Sequence, residues 1–267
     1  MIRIEGRAVT YGEVWFDEPI PPAPDVDILK IRLRPMPLER HACTLFLSLL
    51  SDLTADEQTL FAGFGGTNRY KIKRAQDRDR LAHCFITTPA ADLDTFCAFY
   101  DAFAQQKGLT TSYRRGLWAA CSAGRLILSS ASRDGLTLVW HAYITDHKMA
   151  TLLHTASHFR GLDTDRRALI ARANRWLHWR DMLSLKALGH ERLCWGGMFE
   201  DESKAEQASI NNFKREFGGR LERSYDCTVP LTLKGRLCIP LLQLLDRLDA
   251  WSTRGKGDDV QSASRAS

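Results

Sequence analysis

The sequence predicts a mixed α/β fold of the α+β type, and three observations predict it. Short stretches of alternating apolar and polar residues, bounded by turn signals, recur near both ends of 2–33 and again over 116–157. One long stretch, Asp163–Leu188, repeats its apolar residues at helical spacing instead. The order that follows is strand, short helix, strand, which layers helices against a sheet. The composition, 44% hydrophobic and 26% charged over 267 residues, is globular and ample for a core without metals or cross-links.

Each element has a local reason. Ile2, Ile4, Ala8, Tyr11, Val14 and Phe16 interleave with polar residues and read as strands, Pro19, Pro21, Pro22 and Pro24 make a stiff connection, and Val26–Leu33 alternates again. Leu50–Arg80 reads as helical, opened by Ser51 or Thr54 and interrupted by the glycine-rich Gly63–Asn68. His83–Thr87 is a short strand, and Asp92 or Asp94 opens a helix that Gly108 closes. Leu117–Ser122 and Arg125–Ser130 flank Gly124 and read as a hairpin; Leu136–Thr145 follows the turn dipeptide Asp134-Gly135, and Ala150–Ala156 completes an antiparallel meander. Asp163 or Thr164 caps the long helix, and Leu169, Ala173, Trp176, Trp179 and Leu183 form its apolar face. Arg192–Trp195, Ser209–Phe217 and Leu221–Val229 supply strand, helix and strand; Leu237–Trp251 reads as a terminal helix and the residues after about Thr253 as a disordered tail. No internal repeat is present.

Composition also excludes. The longest apolar runs, such as Cys43–Leu50, are far short of the roughly 18–20 residues of a membrane span, and the charged N-terminus lacks a secretory apolar region, so the chain reads as cytoplasmic. Seven scattered cysteines without a C-x-x-C pair argue against a disulfide framework or zinc ribbon and for free thiols in a reducing compartment; no metal site is expected. The net charge of +5 is carried by arginine, 27 against 10 lysines. Arginine suits anionic ligands, while the lack of a basic cluster interleaved with aromatics ranks nucleic-acid binding last.

At Asp163–Arg220 the residues resemble a known family. The runs RRALIARANRWLHWRDMLSLKALGHERLCWGGM and SINNFKREFGG are similar to the long helix, following strand and Phe-Lys-bearing short helix of Fem-type acyltransferases, a branch of the GNAT superfamily encoded with surface-polysaccharide genes. NRYKIKRA and LLHTASHFR resemble that family's basic segment and strand-to-helix junction. The resemblance implies a GNAT-like central mixed sheet flanked by helices over residues 81–252, preceded by a reduced first half over 1–80 and followed by a tail over 253–267. It implies an N-acyltransferase that moves an acyl or aminoacyl group to an amine, such as an amino-sugar nucleotide in cell-envelope glycan synthesis. No tightly bound cofactor is implied; the donor is acyl-coenzyme A, an acyl carrier protein or an aminoacyl-tRNA.

Such chemistry needs a polarised carbonyl, a neutral amine and a held donor. Polarisation by backbone N–H groups where parallel strands splay apart would fall on Ala150–Ala156 and Arg192–Trp195. Ser157, Arg160 and Gly161 precede the long helix, where free N–H groups and the helix dipole attract anions. Arg160-Gly161-Leu162-Asp163 departs from the glycine-rich donor loop of coenzyme A-dependent members, because Asp163 stands where glycine is expected. His158 and His141 are the candidate general bases, with Asp146 as a carboxylate alternative. Lys214 is a second donor-binding candidate. Arg69 and Lys73 in the basic run, with Trp195 and Phe213, are acceptor-binding candidates; the same residues also read as a solvated helix face and as core. Cys194 sits in an apolar strand without a basic neighbour and is a poor nucleophile. The opposing reading is a non-catalytic binding module on a degenerate GNAT fold.

Overall fold

In the computed structural model, which describes residues 1–240 apart from Asp17 and Ala23, the alternating stretches join into one ten-stranded sheet. The strands are β1 (Ile2–Glu5), β2 (Thr10–Trp15), β3 (Ile28–Arg34), β4 (Ala42–Asp52), β5 (Ala82–Ile86), β6 (Leu126–Arg133), β7 (Leu136–Thr145), β8 (Met149–Ser157), β9 (Arg192–Gly197) and β10 (Arg220–Pro230). The helices are α1 (Glu57–Ala62), α2 (Gly66–Arg78), α3 (Leu93–Lys107), α4 (Arg114–Ser122), α5 (Thr164–Ala187) and α6 (Ala205–Arg215). Across the sheet the order is β1-β2-β3-β10-β4-β9-β8-β7-β6-β5. The pairs β2–β3 and β8–β9 are parallel and the others antiparallel.

Two cores follow from the period-two geometry of strands. In β7, Val139, His141 and Tyr143 point to one face, where α2, α5 and α6 pack; Trp140, Ala142 and Ile144 point to the other, beneath α3 and α4. β7 is covered on both faces, which explains its nearly unbroken apolar run. On α5, Ile170, Ala173, Trp176, Leu177, Met182 and Leu185 are buried at three- and four-residue spacing. Asp163 caps that helix by accepting from the Arg166 N–H at 2.8 Å. Burial of one such leucine or methionine contributes about 1.5–3 kcal/mol, so this face of α5 dominates the helix's attachment to the sheet.

The mixed sheet between helix layers is as expected, but four local readings are corrected. Leu117–Ser122 is the end of α4, not a strand: Gly124 at φ +65° is the residue after a helix cap, with Arg125 N–H donating to the Ala120 carbonyl at 2.8 Å and Gly124 N–H to that of Cys121 at 3.0 Å. This double bond pattern ends a helix with the same left-handed glycine that a hairpin uses. Residues 42–52, including the start of the stretch read as helical, form β4 between β9 and β10, and the helix after it is capped by Asp56 rather than Ser51 or Thr54. Cys43 and Cys227, directly opposite on β4 and β10, are disulfide-bonded, against the expectation of seven free thiols; a sequence separation of 184 hides that pairing. His158 lies one residue beyond the end of β8. Most of the helix expected over 237–251, and the tail over 253–267, lie outside the described residues. Among the described residues no helix is long and apolar enough to cross a membrane.

Candidate active site

The parallel pair β8–β9 holds for three registers, Met149↔Arg192, Ala150↔Leu193 and Thr151↔Cys194, and then ends. Both strands are irregular at this level. On β8, Leu152 and His154 face consecutive residues of β7, so Leu153 is an extra residue. On β9, Cys194 and Gly197 face Leu50 and Ser48 of β4, so one extra residue lies in between. Bulges bend strands and leave backbone groups unpaired. Here two of them open the sheet at one point, and the opening joins a cleft of about 420 Å³ lined by Thr151–His154 and Gly196-Gly197.

The glycines have a steric reason. Gly196 adopts φ +73°, and a Cβ there would stand 3.1 Å from the Leu152 carbonyl oxygen across the opening. A side chain would prise the strands apart or clash, so the glycine permits the close approach. On the α6 side Lys214 donates to the Gly197 carbonyl at 2.5 Å, and its Nζ lies 3.9 Å from that same Cβ position. Burial lowers the Lys214 pKa. Among the described residues it makes no ion pair with a carboxylate.

The β8 bulge also exchanges faces. Ala150 and Leu152 pack toward α5, and strict alternation would send His154 the same way. The extra Leu153 turns His154 to the other face, where it lines the cleft and packs on Tyr100 at 4.4 Å and Phe96 at 6.3 Å. Burial pushes its pKa down to about 4, against a weak opposing pull from Asp101. The imidazole is therefore neutral through the physiological range.

The N-terminal strands build the far wall. Arg32 donates to Asp226 Oδ2 at 2.9 Å and lies 3.5 Å from Glu13 Oε1; Asp226 Oδ1 accepts the Leu33 N–H at 2.9 Å, and Glu13 Oε2 accepts Trp15 Nε1–H at 3.3 Å. Glu13, Arg32, Asp226 and Tyr113 line the cleft, with Ile2, Trp15 and Leu117 supplying apolar surface. These polar residues escape sequence reading because β2, β3, β10 and the residue before α4 contribute one each, without motif or spacing. The detectable signal is Gly196-Gly197 after an apolar strand, which reads there only as a strand end.

The expected residues separate into groups. Lys214, Trp195 and Phe213 gather around β9 and α6. Trp195 is 1% exposed, donates to Ser51 Oγ at 2.8 Å and stacks on Phe217 at 4.5 Å. Phe213 packs on Phe217 at 5.3 Å and on His178 at 5.7 Å, under the Arg175 guanidinium. Ser157, Arg160 and Gly161 lie together before α5: Ser157 ends β8 opposite Val139, Arg160 donates to the Gln106 carbonyl at the end of α3, and Gly161 takes φ +73°. His158 contacts the Phe99 carbonyl through Nε2 at 3.1 Å and packs edge-on against the Phe99 ring at 4.2 Å. Asp146 accepts the Lys148 and Met149 N–H groups in the β7–β8 turn, at the end of β8 remote from the opening. Arg69 donates to the Ala62 and Phe64 carbonyls, closing the α1–α2 corner, and Lys73 sits 5.9 Å from the Phe61 ring centroid. None of His158, Asp146, Arg69 and Lys73 lines the cleft.

His141 belongs to a buried network under α5. The Asp181 carboxylate, fully buried, is met by Ser129 Oγ at 2.7 Å, Tyr143 OH at 2.8 Å, His141 Nδ1 at 2.8 Å and His83 Nε2 at 3.1 Å. Burial works to raise its pKa, but the hydrogen bonds from His141 and His83 outweigh it and hold the group below the usual carboxylate range. His141 Nε2 reaches Asn174 Oδ1 at 2.9 Å, and His178 stacks on the His141 ring at 4.1 Å. Burial pushes the His178 pKa well down. One acceptor thus ties β5, β6 and β7 to α5.

Among the described residues no group of three or more His, Cys, Asp and Glu is placed to hold a metal ion. No family model matches the sequence, and no curated protein does. Solved structures do match. FemX superposes with a TM-score of 0.56 at 14% identity, over 72% of this chain and 63% of that one. The C-terminal domain of a putative lysylphosphatidylglycerol synthetase from Agrobacterium fabrum superposes with a TM-score of 0.52 at 14% identity, over 82% of this chain and 72% of that one. The chain thus spans less than two thirds of the FemX chain. Its architecture shares the fold of FemX and of that synthetase domain.

Proposed function

We propose that the protein is an acyltransferase that moves an acyl or aminoacyl group from a thioester or ester donor to an amine. One observation carries this reading: the parallel strands β8 and β9 part after Thr151 and Cys194, each with an extra residue, and open onto the cleft. Backbone N–H groups freed at such an opening bind a carbonyl oxygen as it becomes an oxyanion, at no reorganisation cost. Lys214, seated on the Gly197 carbonyl, adds an unbalanced positive charge beside that point. The first 80 residues supply the cleft's far wall through Ile2, Glu13, Trp15 and Arg32, and residues from 81 onward supply the opening.

The donor approaches from the α5–α6 side. The first turn of α5 is already capped by Asp163, and Asp165 adds a second negative charge. That pair weakens the fit of a coenzyme A pyrophosphate there and favours a carrier held elsewhere, either an aminoacyl-tRNA or an acylated carrier protein. The cleft supports an amine acceptor; among the described residues lining it, only Arg32 could meet the diphosphate of an amino-sugar nucleotide, and it faces Glu13 and Asp226. The test is transfer from acyl-coenzyme A, acylated carrier protein and aminoacyl-tRNA to a panel of amines, with amide product read by mass spectrometry. Wild-type protein forms amide from one of these donors, and Gly196→Ala, checked as folded, loses at least about tenfold because the new Cβ presses on the Leu152 carbonyl. Absence of amide with every donor supports the binding-module reading instead.

A further inference from the structure

We propose that the acceptor is a primary amine on an apolar body, bound as its ammonium ion by Glu13 and Asp226, and that the cleft excludes phosphorylated acceptors. The inference rests on the acyltransferase reading and names the substrate class of that site. Among the described residues three charged side chains line the cleft: Glu13, Arg32 and Asp226. Arg32 stands between the two carboxylates, 2.9 Å from Asp226 and 3.5 Å from Glu13, so the wall carries one cation against two anions. Arg32 faces both carboxylates through its two terminal nitrogens while its Nε is buried without a partner, and among the described residues no other lysine or arginine lines the cleft to receive a phosphate. A nucleotide would bring negative charge against a net negative wall of low exposure, where like charges repel strongly.

Apolar surface covers most of the rest, from Ile2, Trp15, Phe46, Leu117, Ile144 and Leu153. His154 adds no charge, since burial keeps its imidazole neutral. Thr151, only 4% exposed, lines this space where the strands part, opposite Cys194 of β9. A volume of about 420 Å³ suits a small amphipathic molecule.

Glu13 is the more loosely held carboxylate: Arg32 lies 3.5 Å from it and Trp15 Nε1 3.3 Å, whereas Asp226 accepts from Arg32 and from the Leu33 N–H at 2.9 Å each. The Glu13 carboxylate takes one proton from the bound ammonium. The freed nitrogen attacks the acyl carbon, the C–N bond forms, and the bond from carbon to the donor's sulfur or oxygen breaks. The leaving thiolate or alkoxide takes the second nitrogen proton, giving amide and free thiol or alcohol, and Glu13 returns its proton to water.

Binding without donor separates this proposal from the acyltransferase reading. Octylamine, octanol and UDP-glucosamine are titrated calorimetrically into the wild-type protein and Glu13→Gln. Octylamine binds at least about tenfold tighter than octanol to wild type, UDP-glucosamine does not bind, and Glu13→Gln weakens octylamine by about 10–100-fold. Equal affinity for octylamine and octanol overturns the proposal without any variant, and so does UDP-glucosamine binding as tightly as octylamine. Amine binding of the expected pattern with no amide from any donor leaves the cleft's specificity standing and removes the acyltransferase reading.

Discussion

Replacing His154 by phenylalanine flattens the acid side of the stability profile. The imidazole titrates at about 4 instead of 6.5 because it is buried against Tyr100 and Phe96. In the unfolded chain the same group takes up its proton near 6.5. Between these two values the unfolded state holds more protons, so stability falls as the pH falls through the window; above about 6.5 the contribution is fully present. A factor of ten in proton affinity is worth about 1.4 kcal/mol, so the interval amounts to about 3 kcal/mol lost between about pH 7 and pH 4. Phenylalanine keeps an aromatic ring on Tyr100 and removes the titration. Urea unfolding of both proteins across this range measures the difference. His178 and His190 are also shifted downward by burial, but they are present in both proteins and cancel in the subtraction. The wild type is expected to lose about 3 kcal/mol more than the variant. Parallel profiles would mean that His154 is hydrated, and that the β8 bulge does not turn it into the packed cleft wall.

Asp181→Asn removes the charge that Ser129, Tyr143, His141 and His83 all address. Breaking a buried charge network typically costs about 3–5 kcal/mol, and urea unfolding at neutral pH should show a loss of that size; less than about 1 kcal/mol would mean that the carboxylate is not the hub. The Cys43–Cys227 bond predicts that unfolded, unreduced protein takes up five alkyl groups by mass spectrometry, one for each free cysteine, and seven after reduction. Seven in both samples would show that the pair is open.

What could be read in the sequence was local. The span of α5, its Asp163 cap and the turn before β7 are written in adjacent residues, and the structure has them where the pattern places them. Gly124 shows the limit of the same method: a left-handed glycine serves a hairpin or a helix end equally well, and the Arg125–Ala120 bond that decides between them is not visible in composition. β4 was hidden for a different reason. Its outer half is exposed and its inner half buried, so it lacks the alternation of a strand with one wet face. The cleft was out of reach altogether, because Glu13 and Asp226 come together only when β3 pairs with β10.

The bulges explain why so little of the site has a motif. A bulge is an extra residue, not a residue type, and it acts by changing which face every later side chain takes. Leu153 sends His154 to the cleft and Thr155 toward Asn174, so the two sides of β8 exchange their periodicity at the point where the sheet opens. The consequence is a separation of charge across the opening. Among the described residues Lys214, on the α6 side, has only a backbone carbonyl as partner, and the Glu13–Arg32–Asp226 wall carries net negative charge on the α4 side. In the proposed reaction, a donor carbonyl lying between them would have its oxygen drawn toward the cation and the acceptor ammonium would be drawn toward the carboxylates. Both attractions favour the arrangement in which nitrogen meets carbon, and fixed charges of this kind act without rearrangement during the reaction.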